Sequence, residues 1–251
     1  MGTNSRIEWT EATWNPVAGC SIVSPGCTNC YAMRMAERLE LMGQLKYKGL
    51  TRRSGGRPKW NGQIYLDESA LKIPYSWKSG RVIFVNSMSD LFHEDVPIPF
   101  IQKVFRVMQD CRQHTFQILT KRSERLRDLA ENLDWPRNVW MGVSVENNEH
   151  IYRINDLRNT PAAIKFLSLE PLIGDVGTLN LSKIDWAIAG GESGPGARPM
   201  APEWVRSIRD QCIDSNVAFH FKQWGGINKK RTGRILDGRT WDQFPSSIAA
   251  Y

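Results

Sequence analysis

Three cysteines packed within eleven residues, Cys20, Cys27 and Cys30 in the segment CSIVSPGCTNCYA, give this chain its densest concentration of reactive side chains. The gaps between them are six residues and then two. Cys27 and Cys30 form the close pair that two sulfur ligands of one site require, while Pro25 and Gly26 supply the turn that returns Cys20 to them. Three thiolates can hold a four-iron cluster and leave one iron open, whereas a closed structural zinc site wants a fourth ligand. No His or Cys lies between Cys30 and His93 to provide one. An iron–sulfur cluster is the leading reading; zinc completed from elsewhere and unligated thiols are the alternatives.

The elements that must position these residues are legible as an alternation. Short apolar runs recur, each followed by polar turn residues and then a helical stretch, the pattern of β/α units around a parallel sheet. Strands are predicted over 82–86, 116–120, 139–145, 164–169, 186–189 and 217–221, with one more before Cys20, about seven in all by this pattern. Helices are predicted over 30–42, 99–112, 123–131, 148–158 and 202–215.

In a parallel barrel, chemistry gathers at the carboxyl ends of the strands, and each predicted strand here ends on polar residues. Asn86, Ser87, Ser89 and Asp90 follow one; Thr120, Lys121 and Arg122 the next; Ser144, Glu146 and Asn147 the third. Ser168 and Glu170, then Gly190, Gly191, Glu192 and Ser193, then Lys222 and Gln223 complete the series. Each alone reads as a turn or helix cap; the series predicts one shared polar cavity. His93, His114, His150 and His220 have no helical metal-ligand spacing and read as structural.

A three-cysteine loop after the first strand of a (β/α) barrel resembles the radical S-adenosylmethionine superfamily, whose usual gaps are three residues and then two. Here the first gap is six, and the position before the last cysteine, usually aromatic, is Asn29, with Tyr31 just after. Over nearly the whole chain, WNPVAGCSIVSPGCTNCYA, FVNSMSDLFHEDVP, FQILTKRSERL, VSVEN, LSLEPL, AGGESG and FKQWG, in this order, resemble a little-characterised family of phage and bacterial proteins carrying this motif. The resemblance implies a partial (β/α) barrel of six or seven parallel strands. It also implies a [4Fe-4S] cluster on the three cysteines, S-adenosyl-L-methionine, a 5′-deoxyadenosyl radical and an external electron donor. On that reading Glu146 and Asp90 accept from the ammonium and ribose hydroxyls of S-adenosylmethionine, and Lys121, Ser87 and Ser144 assist its carboxylate. Gly190 and Gly191 border the cofactor, and Lys121 and Glu170 are the catalytic residues to test.

Composition bounds the rest. At 251 residues, with 41% hydrophobic and 24% charged residues, the chain is expected to form one barrel domain. No apolar run approaches bilayer length and no secretory signal is visible, so a cytoplasmic protein without a membrane partner is expected; MGTNSR matches the loose myristoylation pattern without other support. An odd number of cysteines, five, suits a reduced compartment, and Cys111 and Cys212 read as small buried hydrophobes. The net charge of +7 and two basic stretches raise the expectation of a nucleic-acid or nucleotide substrate. One stretch is an insertion at 44–61 with Lys46, Lys48, Arg52, Arg53, Arg57 and Lys59, whose Ser-Gly-Gly predicts mobility; the other is an extension at 226–251. A partner protein is also compatible. The rival class is a nucleic-acid-binding protein whose cysteines hold structural zinc or a structural cluster.

Overall fold

The computed structural model describes residue 5 and residues 7 to 245. Seven strands form the main sheet: β1 (Ala12–Trp14), β2 (Val82–Val85), β3 (Thr115–Thr120), β4 (Val139–Ser144), β5 (Ile164–Leu169), β6 (Trp186–Gly190) and β7 (Ala218–Gln223). They pair strictly in chain order and all in parallel, and the sheet curls into a half-barrel whose edge strands β1 and β7 do not pair. The helices are α1 (Tyr31–Leu41), α2 (Ile98–Asp110), α3 (Ser123–Leu129), α4 (Tyr152–Arg158) and α5 (Pro202–Asp214). The predicted alternation is therefore present, with ends displaced by a residue or two except at the helix predicted over 148–158, where Asn148–His150 is a 3-10 turn and α4 begins at Tyr152.

Strands buried on both faces read as continuous apolar runs, as in β4, where every residue is buried. One face, carrying Ile83, Ile118, Met141, Leu167, Ala189 and Phe221, packs into the main core with the helices. The other face lines the inside of the curl. Near the amino ends it holds an aromatic floor of Phe84, Trp140, Phe166 and Trp186, capped by Trp9. Ring centroids of Trp186 lie 6.1 Å from Trp140 and 5.7 Å from Phe166. Gly142 is the small residue that admits this layer: a Cβ there would stand 2.4 Å from the Phe166 ring. Further up the strands the inward positions become Ser144, Ser168 and Lys222. The inside of the sheet thus runs from apolar to polar in the direction of the strands.

The connection from β1 to β2 carries the cysteine loop, α1 and the basic insertion. That insertion is folded, contrary to the mobility its Ser-Gly-Gly predicted. Strands Thr51–Ser54 and Arg57–Trp60 form an antiparallel hairpin around Gly55 and Gly56, both at positive φ as a two-residue turn requires. Tyr47, Leu50 and Trp60 bury their rings and side chain against Ala32, Met33 and Ala36 of α1, and this apolar contact is the signal that charge content concealed. Of the basic extension, Lys229–Thr232 is one helical turn, and Leu236 and Trp241 are buried beside β7. Residues 246–251 of the predicted extension, and all of MGTNSR except Ser5, lie outside the described residues. Cys111 and Cys212 are core residues, as expected. Among the described residues no helix is long and apolar enough to cross a membrane.

Candidate functional site

A cavity of about 760 Å³ opens at the carboxyl ends of the strands, where the polar inward positions predicted it. Of the predicted site residues, Cys20, Cys27, Cys30, Ser87, Asp90, Lys121, Ser144, Glu170 and Gly191 line it. Glu146 and Gly190 do not.

The cysteine loop turns tightly through Pro25–Cys27, with the Cys27 amide donating to the Ser24 carbonyl at 2.9 Å, and then enters α1 directly after Cys30. Burial pushes the Cys20 thiol up to about 12; the Arg122 guanidinium opposes this, and Asp90, Cys27 and Cys30 reinforce it. Burial also pushes the Cys30 thiol up, against the first amides of α1 and the charge of Lys121. Thiolates are the ligating form, so a cationic group in the cavity would reverse this balance and release protons as it binds.

Arg122, which the sequence placed in the strand-end series without a role, lines the cavity. Its Nη1 lies 3.7 Å from Cys20 Sγ and 3.0 Å from Asp90 Oδ2, its Nε donates to Glu94 at 3.0 Å, and its Nη2 donates to Ser21 Oγ at 2.6 Å. Asp90 in turn accepts from Thr120 Oγ1 at 2.8 Å, from the Lys121 amide at 3.1 Å and from the Phe92 amide at 3.0 Å. Asp90 lines the cavity, as the sequence series predicts, and within it aims Arg122. The only sequence sign was the run Thr120, Lys121, Arg122 at a strand end.

Glu146 lies off the cavity lining. It is fully buried behind the cysteine loop. Its Oε1 receives Ser24 Oγ at 2.9 Å, Lys121 Nζ at 2.7 Å and Arg153 Nη1 at 3.3 Å. Burial pushes this carboxyl upward, but Lys121, Arg153 and Ser24 outweigh it and hold it below the usual range. Gly26 is pressed onto the same group, since a Cβ would stand 2.6 Å from the carboxylate carbon. Glu146 therefore seats the cysteine loop on the end of β4, and it holds Lys121, the predicted catalytic lysine, by its ammonium.

Glu170 stands on the opposite wall, and like Glu146, whose Oε2 has no hydrogen-bond partner, it has one oxygen bonded and one not. Glu170 Oε2 meets Lys222 Nζ at 3.2 Å, and its Oε1 has no hydrogen-bond partner. The glycines beside it answer to the protein itself: a Cβ at Gly190 would stand 2.3 Å from Glu170 Oε1, and one at Gly191 would stand 2.1 Å from the Trp224 carbonyl oxygen. The glycine-rich loop then clasps the cysteine loop. Asn29 Nδ2 donates to Glu192 Oε2 at 3.0 Å and to the Gly196 carbonyl at 2.9 Å. Arg198 Nη2 donates to Glu192 Oε1 at 2.6 Å and to the Pro25 carbonyl at 3.0 Å. Burial pushes the Glu192 carboxyl up, and the bonds from Arg198 and Asn29 bring it below its ordinary value.

Among the described residues no three His, Cys, Asp or Glu side chains gather closely enough to hold one metal ion. A mononuclear zinc site, whose donors converge on a point, does not fit this arrangement. A multi-iron cluster asks that its thiols open onto a common space, and Cys20, Cys27 and Cys30 do so with Arg122 beside one of them.

Fold and site together define an α/β protein with a parallel half-barrel and a three-thiol cavity at its strand ends. A family model described as "Protein of unknown function (DUF5131)" matches residues 4–245, and the chain belongs to that family. No curated protein and no solved structure matches it.

Proposed function

We propose that this protein is a radical S-adenosylmethionine enzyme, with Cys20, Cys27 and Cys30 holding a [4Fe-4S] cluster. The observation that carries this reading is three thiols, with no fourth cysteine and no histidine among the described lining residues, opening onto a cavity at the carboxyl ends of a parallel half-barrel. When bound there, the cluster and S-adenosyl-L-methionine supply a one-electron cleavage of the sulfonium, fed by an external donor, to methionine and a 5′-deoxyadenosyl radical that takes hydrogen from substrate. Arg122 sets a positive charge beside Cys20 and favours its anionic form. Glu146, through Ser24 and Gly26, fixes where the loop stands. Glu170 lines the cavity with a carboxylate held by Lys222, ready to meet an ammonium or hydroxyl, and Ser87 and Ser144 offer hydroxyls. The aromatic floor excludes water from below. The substrate in this reading is a nucleic acid or nucleotide, and the odd number of cysteines, five, supports a cytoplasmic location.

The basic hairpin beside the cysteine loop supports a second reading, a nucleic-acid-binding protein with a structural cluster and no radical chemistry. Anaerobic reconstitution separates the two. A brown protein with about four irons per chain, colour lost on replacing the three cysteines by alanine, and reductive release of methionine support the enzyme. A brown protein that leaves S-adenosylmethionine intact supports the binding protein. Colourless protein with stoichiometric zinc overturns both cluster readings.

A further inference from the structure

The hairpin sorts its cations by face. Side chains of directly paired residues share a face, so the pairs Arg52 with Lys59 and Ser54 with Arg57 put three cations on one side. The other side carries Trp60 and Pro58, which are buried, and Arg53, whose Nε meets Glu37 Oε1 of α1 at 2.8 Å. The cationic side leans on the site. Lys59 Nζ donates to the Thr28 carbonyl at 2.6 Å, and Arg57 Nη1 lies 3.4 Å from Asn29 Oδ1. Two more arginines reach the same rim: Arg34 Nη2 would stand 2.5 Å from a Cβ at Gly194, and Arg198 touches the Pro25 carbonyl.

Acid neutralises only one of these five cations, Arg198, which is paired with Glu192. Among the described residues Arg34, Arg52, Arg57 and Lys59 have no carboxylate within ion-pair distance, and Glu192, the acid at this rim, is held by Arg198 and Asn29. Like charges set directly opposite each other in a hairpin are destabilising, so the Arg52 and Lys59 pair costs stability unless an anion lies across it. A single phosphate would meet one or two of these cations. Four unpaired cations on the hairpin and α1, with Arg198 beside them on the glycine-rich loop, ask for a ligand with repeated phosphates. Tyr31 adds a platform at the mouth: its ring is about half exposed, lines the cavity, and is fixed by its hydroxyl donating to the Ser87 carbonyl at 2.6 Å.

We infer that the rim formed by the hairpin, the cysteine loop and the glycine-rich loop is a docking track for the sugar–phosphate backbone of a nucleic acid, with Arg52, Arg57, Lys59, Arg34 and Arg198 on the phosphates and one nucleotide turned past Tyr31 into the cavity. This rests on the proposed function for the role of the cavity, but the docking itself needs no cluster. Binding is therefore measured on the full chain with all three cysteines replaced by serine, using a short fluorescein-labelled single-stranded oligonucleotide, DNA and RNA in parallel, over a series of salt concentrations.

The expected result is binding of at least one strand type that weakens with salt. Arg52→Gln, Arg57→Gln and Lys59→Gln together lower affinity roughly tenfold or more and reduce the salt slope by about two. A matched variant, Lys72→Gln, Lys103→Gln and Arg106→Gln, removes three cations from the separate groove of about 590 Å³ beside α2 and stays within about twofold of the parent. The proposal is overturned by no binding at low salt, by equal losses in the two variants, by inorganic triphosphate competing as well as the oligonucleotide does, or by binding to anionic vesicles in place of nucleic acid. Normal binding with no reductive cleavage of S-adenosylmethionine by the reconstituted parent sinks the radical reading and leaves the track standing.

Discussion

Two carboxylates at the ends of neighbouring strands, Glu146 after β4 and Glu170 after β5, occupy equivalent places in the sequence pattern and opposite places in the chemistry. Glu146 is enclosed, receives three donors on Oε1, has no hydrogen bond to Oε2 and holds the cysteine loop. Glu170 pairs with one lysine and lines the cavity. Position after a strand therefore does not distinguish scaffold from site; whether the side chain reaches the cavity does. A carboxylate enclosed away from the cavity has nothing to offer a ligand there, and removing it leaves its partners uncompensated.

The largest test of this contrast is Glu146→Ala. It leaves Lys121 and Arg153 without their shared counter-charge, and urea unfolding is expected to show a loss of about 3–5 kcal/mol. A loss under about 1 kcal/mol would remove Glu146 from the scaffold. Acid probes the scaffold from the floor side. Burial, helped by Arg234 and Lys222, lowers the His220 pKa to about 4, against about 6.5 in an unfolded chain. Between those values the unfolded state binds more protons, so stability is whole above pH 6.5 and falls as pH drops toward 4, by up to about 3 kcal/mol from this residue. His93, His114 and His150 are lowered by burial too and add to the same slope. His220→Phe should flatten its share, and an unchanged urea-midpoint profile would contradict the assignment. The smallest effect on stability is expected for Glu170→Gln, within about 1 kcal/mol because its partner Lys222 is partly exposed. Its loss should appear in turnover, with reductive cleavage of S-adenosylmethionine falling tenfold or more. A variant that unfolds as Glu146→Ala does would erase the contrast.

The half-barrel was legible because its signal is local: apolar strands and periodic helices announce themselves within ten residues, and β5 appears with its predicted limits. The three cysteines were legible for the same reason. Arg122 was not, because what makes it matter is a sulfur 102 residues earlier in the chain. That Glu146 and Gly190 lie off the cavity lining was not legible for a related reason. Their residue types fit a cofactor, and only the packed structure shows Gly26 against one carboxylate and Gly190 against the other. The hairpin was hidden by its own charges, since the buried Trp60 and Tyr47 that fold it are isolated among cations in the sequence.

The clasp between Asn29 and Glu192 joins residues 163 positions apart, and Arg198 completes it from six residues further on. On the ribosome, the cysteine loop emerges before the glycine-rich loop that clasps it, with the strands β2 to β6 made in between. A chain stalled before Arg198 carries all three thiols and lacks the bonds from Arg198 to Glu192 and to the Pro25 carbonyl. Assembly of the site is thereby deferred until both loops have been made.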